Sequence, residues 1–260
     1  MTQPKGYVSS EYLRMAGGSV KHLKERTYEL MQVQRGQKVL DVGCGPASDT
    51  LQLGALVGPA GQVFGVDHDQ AMVDEAEQRA RQAGVAAWVK HKRAGSDSLP
   101  FETDTFDACR SERLFQHLPD PAPTVAEIVR VTKRGGWIAV LDTDWGSAST
   151  DTVETDIERR LARVHADMVA YNGYAGRQLY RLLRQQGLAD IKIEVHPNWS
   201  TNYAFVRQVT LQPEVEREAL AAGIVTEEEV TRLRRDFEQA DAAGMFFACA
   251  NQVLVVGRKA

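Results

Sequence analysis

The first half of the chain alternates short apolar runs with segments of helical periodicity. An apolar run of four to six residues bounded by glycine, proline or charged residues is typical of a strand, and a 3.6-residue apolar repeat is typical of a helix. Five such runs, each separated from the next by helical or turn-like sequence, are predicted as strands: 38–42, 62–66, 87–91, 106–110 and 137–141. Strands that alternate with helices predict a doubly wound, mostly parallel α/β sheet.

The second half has a looser pattern that is mainly helical. A charged helix is predicted over 154–170, an amphipathic helix over 177–186, and further helices within 202–245. Thr226 and Glu229 have the spacing of a capping box, which marks a helix start. Strands are predicted around 191–195 and over 246–258. Inserted helices near the carboxyl ends of strands can cover a ligand crevice.

Composition restricts the class of protein. The 260 residues include 31 basic and 35 acidic side chains, for a net charge of −4, which does not favour binding to nucleic acid or to an anionic membrane. Three widely spaced cysteines form neither a disulfide framework nor a metal-binding pattern, so we expect no metal site and a reducing compartment. No signal sequence or membrane span is recognisable. These features predict a cytoplasmic protein.

A glycine-rich turn follows the first predicted strand. Gly43 and Gly45 let the backbone approach a ligand closely, and Asp67 ends the second strand 22 residues after Gly45. A carboxylate at this spacing can accept hydrogen bonds from both hydroxyls of a ribose. Ser48 stands where a dinucleotide-binding loop has its third glycine. The turn alone is compatible with an adenosine cofactor of either the nicotinamide or the methyl-donor type.

Several short motifs follow the glycine turn in a consistent order. They are Gly65-Val66-Asp67, Leu99-Pro100-Phe101, Phe106-Asp107, His117-Leu118-Pro119-Asp120-Pro121 and Arg130-Val131-Thr132-Lys133-Arg134-Gly135-Gly136. Together with the turn, over residues 36–145, they resemble class I S-adenosylmethionine-dependent methyltransferases, and most closely the group around the ubiquinone and menaquinone C-methyltransferases. The resemblance implies a Rossmann-like, seven-stranded sheet with an antiparallel last strand, and S-adenosyl-L-methionine as cofactor.

The resemblance also implies which residues bind the cofactor. These residues lie at or just after the carboxyl ends of the first four strands: Asp41, Gly43, Cys44, Gly45, Asp67, His68, Met72, Gly95, Ser96, Asp97, Ser111 and Glu112. The chain departs from the family pattern at three positions. Gly95 replaces a frequent acidic residue, Arg134 replaces a proline, and Ala47 replaces a glycine. We expect Ala47 to adopt a helical conformation.

Residues for the methyl acceptor are less clearly marked. His117, which follows the fourth strand, is the candidate general base, although a packing or capping role would explain it equally. The candidate acceptor contacts are Tyr12, Asp144, His165, Tyr174 and Arg177. Methyl transfer from a sulfonium depends mainly on positioning the nucleophile, so the sequence need not contain a fixed catalytic constellation.

These observations predict a single methyltransferase domain over 1–260. Within it we expect an N-terminal helical lid at 1–35, a cofactor-binding core at 36–145, and helical insertions at 146–176 and 202–245 over the acceptor site. The predicted function is in-line methyl transfer to a small-molecule acceptor. One alternative is a cofactor-binding protein of the same fold that transfers no methyl group, such as a cyclase, a decarboxylase or a scaffold. Another is a nicotinamide-dependent oxidoreductase. The acceptor, the attacked atom and the oligomeric state stay open.

Overall fold

A seven-stranded mixed sheet forms the centre of the computed structural model, which describes Gly18 and residues 20–260. The strand order is β3-β2-β1-β4-β5-β7-β6, and only β7 runs antiparallel to its neighbours. This arrangement confirms the predicted fold class. The strands are β1 (Lys38–Val42), β2 (Gln62–Asp67), β3 (Val89–Arg93), β4 (Phe106–Glu112), β5 (Thr132–Thr150), β6 (Ala189–Ser200) and β7 (Ala248–Arg258).

Helices cover both faces of the sheet and one of its edges. Those described are α1 (Lys21–Leu30), α2 (Ser48–Val57), α3 (Gln70–Gln82), α4 (Ala122–Val131), α5 (Thr155–Val164), α6 (Ala175–Gln185), α7 (Tyr203–Val209), α8 (Gln212–Ala221) and α9 (Glu227–Ala242). A 3₁₀ turn spans Phe115–His117, and a π turn spans His165–Val169. The capping box predicted at α9 is confirmed: Thr226 Oγ1 accepts from Glu229 N, and Glu229 accepts from Thr226 N. None of the helices in the described part of the chain has the length and apolarity to cross a bilayer.

Three apolar cores hold these layers together. One lies between the sheet and α4 and α6, and a second lies on the opposite face beneath α1 and α2. The third joins α5, α8 and α9 and includes Tyr203, Phe237 and Phe246. The two stretches predicted as separate insertions therefore share a single core at the carboxyl edge of the sheet.

Strand β5 is longer than the sequence predicts. It continues past Leu141 to Thr150, and its extension pairs with the start of β7 through Asp142↔Val253 and Thr143↔Gln252. Asp142, Thr143 and Asp144 are buried although they are polar, so hydropathy does not reveal that the strand continues. The boundary expected at residue 146 thus falls inside a strand. Strand β3 also lies two residues later than predicted.

Candidate cofactor and acceptor sites

The turn after β1 is pressed against the end of β2. The backbone N–H groups of Gly43 and Cys44 both donate to the Val66 carbonyl, at 2.8 and 3.0 Å. Gly43 has φ 77°, and a Cβ at this residue would lie 3.3 Å from two side-chain atoms of Leu114. Gly45 also has positive φ, at 49°. The turn therefore needs glycine at these positions, and it leaves bare backbone at the edge of the sheet.

Asp67 is held as a carboxylate beside this turn. Its Oδ2 accepts from Gly45 N at 2.9 Å, and its Oδ1 accepts from Asp69 N at 3.0 Å. Burial favours the neutral acid, but these two bonds and the neighbouring His68 keep the pKa of Asp67 below its ordinary value. The side chain is 11% exposed. A fixed carboxylate that reaches the surface beside bare backbone fits the ribose of an adenosyl group.

A buried ion cluster lies beneath the turn. The buried ion cluster consists of Lys24, Asp41, Asp49, Arg110 and Glu112. The guanidinium of Arg110, whose side chain is fully buried, lies 2.7 Å from Asp49, 3.1 Å from Glu112 and 3.5 Å from Asp41. Lys24 of α1 lies 2.7 Å from Asp49 and 2.8 Å from Glu112. The cluster joins α1 to β1, α2 and β4 under the candidate cofactor site.

Opposite charges keep Arg110 and Asp49 of this cluster ionised despite their burial. Desolvation opposes the charge on Arg110, but Asp49 and Asp41 outweigh it and hold the pKa of Arg110 above its ordinary value. Arg110 and Lys24 likewise outweigh burial at Asp49 and hold its pKa low. Burial dominates at Asp41 and raises its pKa to about 7. Two predicted cofactor contacts, Asp41 and Glu112, thus pair with Arg110 inside the cluster.

The other predicted cofactor residues surround the same edge. Met72 is buried on α3, and His68 is mostly exposed beside Asp67. The loop after β3 is tied to Asp67 through the bond from Ala94 N to the Asp67 carbonyl, at 2.9 Å. Three more predicted contacts follow in that loop: exposed Gly95 and Asp97, and Ser96, which bonds Thr124. The structure therefore brings the loops after β1, β2 and β3 together, and binding through these residues stays a prediction.

Ala47 and Ser111, both at this edge, have unusual local environments. Ala47 is not helical; it has φ 68° and ψ 27°, the left-handed conformation that favours glycine, so the expectation was wrong. The predicted contact Ser111, the next-to-last residue of β4, has a buried hydroxyl, and among the described residues its Oγ has no hydrogen-bond partner.

The segment after β4 is fixed by Asp142. One carboxylate oxygen accepts from Phe115 N at 2.7 Å and Gln116 N at 3.3 Å, and the other accepts from Thr143 N at 2.8 Å. His117 follows directly. Burial, reinforced by the charges of Arg113 and His68, lowers its pKa to about 4. Because Asp67 and His68 are also among the groups that act on it, His117 lies toward the candidate ribose site.

A large cavity opens at the same edge of the sheet, beyond β5. Parts of β5, β6 and β7 form its floor, α5 and α7–α9 enclose it, and about 930 Å³ of space lies within it and its mouth. Most of its walls are aliphatic or aromatic, including Leu161, Tyr203, Val206, Leu233, Phe237 and Phe246. A cavity with mostly apolar walls suits a small organic molecule.

Trp145 connects the cavity to the segment after β4. Its indole Nε1 donates to Gln116 Oε1 at 2.6 Å, and its ring lies 4.4 Å, centroid to centroid, from the His165 ring. Trp145 and His165 both line the cavity, whereas His117 does not. Trp145 therefore lies between the segment after β4 and the space of the cavity.

The predicted acceptor contacts divide into three groups. His165 lines the cavity. Arg177 pairs with Asp144 at 2.9 Å and lies over the Tyr174 ring; Arg177 and Tyr174 line a neighbouring recess beside Gly146. Tyr12 lies outside the described residues.

Sequence reasoning missed three polar or aromatic residues at this site: Gln116, Trp145 and Gln252. Trp145 offered one signal, because it lies four residues after the end of the predicted apolar strand 137–141.

Comparisons with known proteins agree with this architecture. Residues 40–140 match the methyltransferase domain family. An uncharacterised 37.1 kDa protein of transposon Tn4556 from Streptomyces fradiae is 32% identical over 86% of this chain and 58% of its own length. A demethylmenaquinone methyltransferase from a Geobacillus species is 37% identical over 47% of this chain and 53% of its own. The chain thus spans between half and three fifths of these relatives.

Solved structures share the fold at low sequence identity. The YcgJ protein of Bacillus subtilis superposes with a TM-score of 0.66 at 18% identity, over 92% of this chain and 98% of its own. A methyltransferase-like protein of Bacillus halodurans gives 0.65 at 16% identity, over 91% and 98%. The matched family and the strand order together identify residues 40–140 as a class I S-adenosylmethionine-dependent methyltransferase domain.

Proposed function

We propose that this chain transfers a methyl group from S-adenosylmethionine to a small, largely apolar acceptor bound in the cavity. The observation that carries the proposal is the position of the cavity, which opens beside the segment that follows β4 at the same sheet edge as the glycine turn and Asp67. The relatives named demethylmenaquinone methyltransferases support a small-molecule acceptor.

The residues present fit the family's cofactor. Gly43 and Gly45 offer bare backbone, a Cβ at Gly43 would lie only 3.3 Å from Leu114, and Asp67 offers a fixed carboxylate for the ribose. When bound, the cofactor supplies a methyl group already activated by the positive charge on sulfur. The cavity then has one main task, which is to hold the acceptor atom in line with that methyl group.

Positioning alone can remove most of the barrier. Holding two reactants in a near-attack geometry contributes up to about 7–11 kcal/mol. The apolar walls and the enclosing helices α7–α9 also exclude water from the reacting atoms. Asp142 fixes the segment that carries Gln116, and Gln116 fixes Trp145, so the wall between the two sites is rigid.

Calorimetric titration with S-adenosylmethionine tests the cofactor half of the proposal. The unaltered protein should bind, and Asp67→Ala should weaken binding by about 100-fold, because hydrogen bonds to a charged group contribute about 1.5–3 kcal/mol each. Asp74→Ala removes an exposed carboxylate on α3 and serves as the matched control. Absence of binding by the unaltered protein would reject the proposal.

Incubation with methyl-labelled donor and a panel of apolar acceptors tests the transfer itself. Label should appear in an organic-soluble product. Donor binding without label transfer to any acceptor would favour the alternative of a cyclase, decarboxylase or scaffold that binds the cofactor without using its methyl group.

A further inference from the structure

We propose that His165 is the general base on the acceptor side, and that the acceptor is an apolar molecule methylated on a hydroxyl group. This inference rests on the proposed function and adds the chemical class of the attacked atom. It assigns the base to the cavity wall instead of to His117.

The His165 ring is buried at the cavity without a polar partner. The residue is 7% exposed, it lines the cavity, and the Trp145 ring lies against it. Within residues 20–260, no hydrogen bond or ion pair reaches its ring nitrogens. The ring nitrogens are not sealed off from the cavity space, so a hydroxyl that enters the cavity can donate a hydrogen bond to one of them.

Two other polar side chains of the cavity wall are already engaged. The Gln252 carbonyl oxygen accepts from Thr143 Oγ1 at 3.1 Å. The Glu158 carboxylate is bound by the Arg159 guanidinium and by Thr150 N. Among these three groups, His165 is the one left to meet a polar atom of the acceptor.

The local backbone also singles out this residue. Helix α5 ends at Val164, and the chain continues as a π turn in which Ala170 N donates to the His165 carbonyl at 3.0 Å. Such wide turns within helices are uncommon and occur frequently at functional sites. Here the turn begins at the residue whose ring lines the cavity.

The protonation state lets the ring accept a hydrogen bond. Burial lowers the pKa of His165 to about 4, so its ring is neutral near pH 7 and one nitrogen has a free lone pair. His117 is also neutral, but it lies toward Asp67 and does not line the cavity.

The reaction balances without an added reagent. The acceptor hydroxyl donates a hydrogen bond to the His165 ring nitrogen. Its oxygen forms a bond to the methyl carbon as the carbon–sulfur bond breaks, and the electron pair stays on sulfur. The hydroxyl proton passes to His165 and then to solvent. A positioned base contributes most when its pKa lies near the working pH, so a ring with a pKa of about 4 supplies less than the roughly 10²–10⁴-fold of an optimal base.

Binding of two probes tests the inference without measuring activity. We suggest 1-naphthol, which has a hydroxyl, and 1-methoxynaphthalene, in which that hydroxyl is methylated, with quenching of tryptophan fluorescence as the readout. The unaltered protein should prefer 1-naphthol by roughly fivefold, the contribution of one hydrogen bond. His165→Phe should abolish the preference, and His22→Phe, a substitution at an exposed histidine of α1, should preserve it.

Three results of the binding experiment would contradict the inference. Equal binding of the two probes, binding of neither, or a preference that survives His165→Phe would overturn the inference. His165→Gln provides a second variant that keeps a polar side chain, and it should retain a reduced preference. The ring-nitrogen NMR signal of His165 should shift with 1-naphthol and stay unchanged with 1-methoxynaphthalene.

Titration with S-adenosylmethionine separates this inference from the proposed function. If the unaltered protein does not bind the cofactor, the proposed function fails whatever the probes show. If the cofactor binds and His165 does not discriminate between the probes, only the assignment of the base and the hydroxyl acceptor fails. His165→Phe should bind the cofactor as the unaltered protein does, which also shows that the variant is folded.

Discussion

The cofactor edge and the acceptor cavity are built in different ways. At the cofactor edge, the important groups are backbone N–H groups and one carboxylate, and each lies within a few residues of a strand end. The cavity draws its walls from positions between 145 and 252 on at least seven elements. A local turn can be recognised in a sequence, whereas a cavity assembled from distant segments cannot.

The two regions also differ in what stabilises them. The buried ion cluster stabilises the cofactor edge, and removing one of its charges leaves the opposite charges buried and unpaired. Aromatic packing stabilises the cavity: the rings of Tyr203, Phe237 and Phe246 lie at centroid distances of 5.3 to 5.7 Å from one another. Substitutions that perturb charge should therefore damage the first region, and substitutions that perturb apolar contacts should damage the second.

The largest expected effect is on the ion cluster. Arg110→Ala should lower the free energy of unfolding by about 3–5 kcal/mol, because it leaves Asp41, Asp49 and Glu112 buried without their main cation. Urea denaturation measures the loss. Arg232→Ala removes an exposed arginine that pairs with Glu154 and should have a far smaller effect. Equal losses in the two variants would show that the cluster does not anchor the cofactor edge.

The next effect concerns the cavity and depends on pH. The folded protein holds His165 neutral with a pKa of about 4, against 6.5 when it is unfolded. Between these values the unfolded chain binds a proton that the folded chain does not, so stability is fully present above pH 6.5 and is lost as pH falls toward 4. This residue should make the protein roughly 2–3 kcal/mol less stable at pH 4.5 than at pH 7.5.

Comparison of two variants isolates that contribution. Urea denaturation of His165→Phe at pH 4.5 and 7.5 should show a pH dependence flatter by that amount, whereas His22→Phe should behave as the unaltered protein does. An unchanged pH dependence in His165→Phe would mean that the cavity wall is open enough to solvate the imidazolium.

The contrast explains how much of the structure the sequence could predict. The doubly wound sheet and the capping box at Thr226 follow from local patterns, and the structure confirms both. The glycine turn and Asp67 lie side by side, and their role in cofactor binding stays a prediction. The extension of β5 was missed because Asp142, Thr143 and Asp144 are polar yet buried. Their burial depends on pairing with β7, more than 100 residues away in the sequence.

The same limit of sequence-based prediction applies to the acceptor side. His117 was the candidate base because it follows β4, and proximity in sequence could not reveal that it lies toward Asp67. His165 was named only as a possible contact. Its relation to Trp145 and to the cavity depends on how α5 packs against β5, and no local pattern encodes that packing.

A smaller effect tests whether backbone geometry defines the cofactor edge. Gly43→Ala should cost about 1–2 kcal/mol of stability, because an L-residue at φ 77° is strained. It should also weaken S-adenosylmethionine binding by about 10-fold or more in calorimetry, because the new Cβ would displace the turn or Leu114.

Gly84→Ala is the matched control for this substitution. Gly84 has φ 71°, and nothing lies within 4 Å of a Cβ placed there. The control should show the strain in denaturation experiments without any loss of cofactor affinity. Equal cofactor affinity in the two variants would mean that the turn does not need a bare backbone.

The smallest effect concerns Ala47, which stands where the family pattern has glycine. This residue has left-handed geometry at the start of α2, which costs an L-residue about 1–2 kcal/mol, and glycine recovers part of that cost while adding chain entropy to the unfolded state. Ala47→Gly should therefore raise the free energy of unfolding by about 0.5 kcal/mol. Ala83→Gly, at φ −78°, should lower it instead. If both variants change the free energy of unfolding in the same direction, the turn at Ala47 relaxes without glycine. The cofactor edge would then be less rigid than its hydrogen bonds indicate.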